Sequence, residues 1–348
     1  ANFLMQGNLE NARVMVMQAD QRQRAAREEY EKEITKSREE TQKKNLNADE
    51  ITARLRNGYD DQRAFVEKAG NIYQNAFMFY LSAIIFEMTG EVDNAYILAR
   101  RVHEQNPAFL PVRVDLLRYA KQLGRHDEYE RWRSAFGPDV PDAIPAGQGR
   151  IVLLLACGNG PVKEEIKVFF TLPLGANRPP AHVTIAVPKY RMRPNPVASA
   201  RLMIGDNPAG VTQPLMDIEA TAVKELWDRA LGMAFRQILR ATGRVLAGEA
   251  AREKGGDVGY LATVAAGFIL EQADLRSWIS LPRDLQALRA TAPAGEYPVR
   301  LDLLSPGGVV LGQVPVGTVA VKEGAVTFID ARTTGVRGAA GHAVVPAR

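Results

Sequence analysis

The stretch C-G-N-G-P at 157–161 holds the one cysteine of the chain and two glycines, directly behind the apolar run R-I-V-L-L-L-A. A thiol there would act as a nucleophile only with a base beside it and a lowered pKa. No histidine stands near Cys157 in sequence, which leaves a small buried residue at a strand end as its role. Glycines behind a strand also suit a phosphate-binding loop, but that needs a third glycine and a following helix. Here V-K-E-E-I-K-V-F-F follows and alternates like a strand, so the segment reads as a tight turn. Lys163, Glu164 and Glu165 carry both charge signs, yet adjacent acids on a strand face opposite ways and form no catalytic pair.

His103, His126, His182 and His342 stand singly, without a second histidine, a cysteine or paired carboxylates at metal-ligand spacing. There is no G-x-S-x-G elbow and no Walker loop. The sequence therefore predicts no catalytic residue, no cofactor and no metal. It points to a protein that binds.

Positioning such a surface takes a chain of 348 residues, long enough for two or three domains. A net charge of +4 is spread thinly over 44 basic and 40 acidic side chains, which argues against nucleic acid as a partner. One cysteine permits no internal disulfide and leaves the compartment open. The longest apolar run, Gly259 to Leu270, is too short to span a membrane and suits a buried helix.

Residues 1–136 have helical periodicity throughout. From Asp20 to Lys44 the residues are mostly Glu, Lys, Arg and Gln, with opposite charges at i,i+4, as in a long solvated helix. The stretch T-G-E-V-D-N-A-Y-I-L-A-R-R-V-H-E-Q-N-P, 89–107, places Gly90, Ala95, Ala99 and Pro107 where a tetratricopeptide-like repeat needs small residues and its closing proline. Gly124 follows Gly90 at the 34-residue period of such repeats. Gly7 and Ala12 offer a third, cut hairpin, which predicts that the natural chain continues upstream. A plain helical bundle is the alternative.

Repeats of this kind bind through the concave surface of their first helices. That register assigns Phe77, Tyr80, Ile84, Glu87, Val114, Arg118, Lys121 and Gln122 to a groove for an amphipathic helix or an extended peptide. Packing of Phe77 and Tyr80 on the preceding long helix is the competing expectation.

The proline- and glycine-rich segment 137–149 reads as a linker. Beyond it, R-I-V-L-L-L-A, E-E-I-K-V-F-F-T-L-P, H-V-T-I-A-V-P-K-Y and S-A-R-L-M-I-G-D-N-P-A-G read as strands and turns. A helix over 217–253 buries Val223, Leu226, Trp227, Ala230, Ala234 and Ile238, and an alanine-rich helix follows over 258–272. Arg229, Arg236, Arg240 and Arg244 share one face of the first of these. Such a stripe suits anionic headgroups or an acidic partner, though a solvated face opposite an apolar one needs neither. Trp278 falls in a loop, as an interface anchor or a lid. Residues 150–292 thus form an α+β domain and 293–331 a small antiparallel β unit, with 332–348 as a flexible tail.

With its regions in this order, the chain resembles a family of poorly characterised bacterial envelope lipoproteins with tetratricopeptide-like N-terminal halves. The resemblance rests on G-N-L-E-N-A-R-V-M-V-M-Q-A-D-Q-R-Q, G-E-V-D-N-A-Y-I-L-A-R-R-V-H-E-Q-N-P, C-G-N-G-P-V-K-E-E-I-K-V-F-F-T-L-P, V-T-I-A-V-P-K-Y and E-Q-A-D-L-R-S-W-I-S-L-P-R-D-L-Q-A-L-R-A. It implies a periplasmic protein tethered to the outer membrane by a lipidated cysteine upstream of Ala1. Genes of the family sit beside those of lipoproteins similar to curli-secretion and penicillin-binding-protein-activator types. The expectation is then an α+β protein that binds other envelope proteins without catalysis. The alternatives are a ligand-binding protein or enzyme with a pocket between the β domain and helix 217–253, and a structural subunit of a larger envelope or secretion assembly.

Overall fold

The computed structural model describes residues 2–43, 48–69, 71–172, 181–230, 232–238, 240–241, 243, 247 and 272–347. Arg244 and all but the last residue of the helix expected over 258–272 lie outside the described residues. Helices fill the first part: α1 (Asn2–Met5), α2 (Leu9–Lys43), α3 (Ala48–Gly58), α4 (Arg63–Lys68), α5 (Ala76–Met88), α6 (Val92–Gln105), α7 (Pro111–Gln122) and α8 (His126–Phe136). Strands dominate the rest, so the chain is of the α+β class.

Three helices end the same way. Gly7, Gly90 and Gly124 adopt φ of +69°, +79° and +66°. Behind each, two crossed backbone bonds close the helix: Glu91 N–H donates to Phe86 O at 2.8 Å and Gly90 N–H to Glu87 O at 3.1 Å, with the same pattern at Arg125/Gly124 and Asn8/Gly7. A Cβ at any of the three glycines would meet nothing within 4 Å. Glycine is therefore required there by backbone conformation, not by space. The hairpins α5–α6 and α7–α8 pack through Ala95, Ala99, Leu116 and Ala120, all fully buried, and α1–α2 supplies a shorter third pair.

The strands are β1 (Gln148–Cys157), β2 (Val162–Leu172), β3 (Ala181–Arg191), β4 (Ser199–Ile204), β5 (Asn207–Val211), β6 (Gln213–Asp217), β7 (Asp284–Pro293), β8 (Gly295–Leu304), β9 (Val310–Val321), β10 (Ala325–Thr334) and β11 (Arg337–Pro346). Between β6 and β7 a helix, α9, covers 218–230 and continues over 232–238. A five-stranded sheet has the order β11-β10-β1-β7-β6 and a four-stranded sheet the order β5-β4-β8-β9, with β2–β3 a separate hairpin.

The five-stranded sheet is the middle of three layers, which explains why β1 is apolar at nearly every position. Ile151, Leu153, Leu155 and Cys157 face the four-stranded sheet, packing with Leu202, Leu301, Leu303 and Val319. Val152 and Leu154, with Ala287, Val326, Phe328 and Val345, face the hairpins and join Tyr80, Ile84 and Tyr119. A strand buried on both faces loses its alternation. The β2–β3 hairpin closes a satellite core with Leu55 of α3, Tyr59 just behind it, and Ala230, Ala234 and Ile238 of α9.

Two expectations need correction. Residues 293–331 do not form a unit of their own: β8 and β9 belong to the four-stranded sheet, while β10 crosses over and pairs parallel with β1. Nor is 332–348 a tail, since 337–346 is β11, paired along its length with β10, with Val345 buried. Glycine and alanine gave this segment no strand signal of its own. They are what lets it lie close, because a Cβ on Gly338 would stand 2.7 Å from Arg332 O.

Candidate functional site

The groove expected on the first helices is filled by the chain's own sheet. Tyr80 and Ile84 are buried, Phe77 and Val114 half-buried, and only Lys121 and Gln122 remain exposed. Lys121 Nζ pairs with Asp142 at 3.1 Å. Glu87 and Arg118 point inward against β1 and β7. Arg118 Nη2 donates to Glu87 Oε2 at 2.8 Å and to Asp115 Oδ1 at 3.0 Å, and Tyr119 OH donates to Glu87 Oε2 at 2.7 Å. From the sheet, Arg150 donates to Glu87 and Arg289 to Asp115. Burial alone would raise the Glu87 pKa, but Arg289, Arg118 and Arg150 outweigh it and hold the carboxyl far below the usual range. This cluster of two carboxylates and three guanidiniums clamps the helices to the sheet. It is a lock, not a groove.

The arginine stripe divides as well. Arg229 pairs with Glu225 at 3.0 Å and with Glu33 of α2 at 3.4 Å, stacking over Tyr30, while Arg236 and Arg240 are exposed. The same crossing joins Tyr30 OH to Asp228 at 2.5 Å, so α2 is anchored at its middle. Cys157 is buried, with Asn195 Nδ2 3.5 Å from Sγ, and burial pushes its thiol pKa up, the wrong direction for a nucleophile. His103 lies against Trp132 and Phe136, and burial lowers its pKa. Among the described residues, no group of three His, Cys, Asp or Glu side chains could hold a metal ion.

A cleft of about 500 Å³ opens where α4, the 71–76 segment and the end of α6 meet β6, β7 and the start of α9. Its floor is acidic. Asp217 lies opposite Asp284 in the β6–β7 ladder and caps α9, its Oδ1 accepting from Ala220 N at 2.8 Å. Glu219, two residues on, donates its backbone N–H to Arg283 O at 3.0 Å. A register shift between Pro214 and Met216 turns Leu215 into the hairpin core and bends the edge strand around the cleft. Lys68 Nζ pairs with Asp217 Oδ2 at 2.6 Å, and Arg283 Nη2 with Asp284 Oδ2 at 2.6 Å. Gln286 Nε2 donates to Asp284 Oδ1 at 2.7 Å. Glu219 is 8% exposed and its Oε1 has no hydrogen-bond partner. Burial, then the charge of Asp217, raises its pKa; burial also raises that of Asp284, against the pull of Arg283.

A third feature is apolar and exposed. Val309, Val310 and Leu311 stand at the β8–β9 tip and Val336 at the β10–β11 turn, each well exposed. The start of β9 lies against the β10–β11 turn, since a Cβ on Gly312 would lie 2.7 Å from Val336 O. Trp278, 73% exposed, and Ile279 project from a loop fastened by Arg193 Nη2 to Ile279 O at 2.5 Å and by Arg332 Nη2 of β10 to Ser280 O at 3.2 Å. The sequence points to Trp278 as an anchor or a lid and to a pocket beside helix 217–253, but it singles out neither the cleft's carboxylates nor Val309, Val310, Leu311 and Val336, because each site assembles residues distant in sequence. No family model, no curated protein and no solved structure matches this chain.

Proposed function

We propose that the chain is a non-catalytic, protein-binding component of the bacterial cell envelope, periplasmic and associated with the outer membrane as the family resemblance implies. Its binding surface is the apolar corner of the β layers, and its helical hairpins are an internal brace. The observation that carries this is Trp278: a large aromatic held out in solvent on a loop whose backbone two arginines fix. Tryptophan is the side chain most enriched among residues that dominate protein interfaces. An anchor already ordered before binding loses little conformational entropy when a partner covers it.

The test is a photo-crosslinking residue placed in turn at Val309, at Ile279 and, as a control, at the exposed Arg22 of α2, in cells that make the protein natively. The expected result is one adduct of the same mass from the first two positions, absent from the third, and lost when Trp278→Ala is added. No adduct, an adduct that survives Trp278→Ala, or an adduct with a second copy of the chain would each overturn the assignment.

A further inference from the structure

The docking reading leaves the acidic cleft unused, and its composition specifies a ligand of its own. Three carboxylates line it, Asp217, Glu219 and Asp284, with two cations, Lys68 and Arg283. Both cations are engaged, Lys68 with Asp217 and Arg283 with Asp284, at 2.6 Å each. Glu219 is left over: buried by more than nine-tenths, lining the cleft, with one oxygen unbonded. A buried carboxylate without a partner is costly, and a ligand that supplies the missing donor recovers that cost on binding.

We propose that this cleft binds a small organic cation, a primary ammonium toward which the Glu219 side chain, its free oxygen closed to solvent in the empty cleft, turns to accept an N–H group, while the carbon body occupies the space beside Met216 and Phe65. Three alternatives fit less well. A metal ion needs several ligands converging within bonding distance, and no such group exists among the described residues. An anionic ligand would have to displace an internal carboxylate from Lys68 or Arg283. A neutral hydroxyl supplies a donor but leaves the charge of Glu219 unbalanced. The volume, about 500 Å³, lies within the usual range for a small-molecule site and leaves room for more than the ammonium itself.

The experiment titrates the purified chain with putrescine, with 1,4-butanediol as the neutral analogue of the same length, with butyrate as the anion, and with calcium chloride. Binding is followed by protein-detected NMR and by thermal shift. Putrescine is expected to bind at millimolar concentration or better and to raise the melting temperature. Glu219→Gln is expected to weaken it by about tenfold or more, the factor of one charge-assisted hydrogen bond. The other three compounds are expected to leave signals from residues 217–221 and 283–286 unmoved. Absence of putrescine binding to wild type, equal binding by Glu219→Gln with a wild-type spectrum, or preferential binding of butanediol, butyrate or calcium would each overturn the proposal. None of these outcomes bears on the Trp278 corner, which stands or falls separately.

Discussion

Where the helices meet the five-stranded sheet stand two clusters of charge, one buried and one at an open cleft, and they are balanced in opposite senses. Beneath α5 and α7, Glu87 and Asp115 face three guanidiniums, and Glu87 accepts from Arg118, Arg150 and Tyr119. At the cleft three carboxylates face two cations, and Glu219 keeps an unbonded oxygen. The first cluster is closed, with its donors drawn from both layers, so it fixes one layer on the other. The second is open on one side and short of donors. A saturated network stabilises a single arrangement; a network lacking one partner is matched to something from outside.

The largest effect should come from breaking the closed cluster. Glu87→Ala takes from Arg150 its carboxylate partner and leaves Arg118 with Asp115 alone, and removing one member of a buried ion network costs about 3–5 kcal/mol. Urea unfolding should show that loss, and the hairpins should detach before the β layers. Equal stability of Glu87→Ala and wild type would mean that apolar packing alone holds the layers together. The pH dependence sharpens the contrast. Glu87 has a depressed folded pKa, so its contribution is fully present above the ordinary glutamate value of about 4.3 and is lost as pH falls toward the depressed value. Glu219 and Asp284 have raised folded values, so the cost of ionising them is absent in acid and appears as pH rises through the ordinary carboxylate range. Wild-type stability should therefore fall in acid, and Glu87→Ala should flatten that fall.

Much of this was legible, and what was not has physical causes. The Schellman turns at Gly7, Gly90 and Gly124 could be read because left-handed backbone selects glycine locally. The groove was misassigned because the repeat register gives a helix face without saying what covers it. The sign that the sheet covers it lies elsewhere: Arg150 opens the apolar run of β1 and Arg289 stands between Leu288 and Ala290 of β7, and a cation buried at such a place requires a buried acid. Glu87, at the end of the apolar helix A-F-M-F-Y-L-S-A-I-I-F-E-M, is the matching half. β11 escaped notice because glycine and alanine carry little strand propensity, and its pairing comes from β10. The cleft depends on the β6–β7 register bringing Asp217 opposite Asp284 across 66 intervening positions, which no local pattern encodes.

The smallest effect tests the open cluster without any ligand. Glu219→Gln keeps the shape of the side chain and removes its charge. If the carboxylate is held there at a cost, the variant should be more stable than wild type near neutral pH, by about 1 kcal/mol, the order of one unmet polar interaction. The gain should shrink near pH 4, where wild-type Glu219 is itself protonated, because its raised pKa makes the neutral form the one the fold prefers. Paired urea titrations at the two pH values read both quantities. A destabilised variant would mean that the charge of Glu219 is already compensated within the chain, by Arg283 or Lys68 acting across the cleft, and the cleft would then resemble the cluster under the hairpins. A stabilised variant would be the ordinary signature of a residue kept for binding at some expense to the fold, since sites that must receive a partner group are those left unsatisfied in its absence.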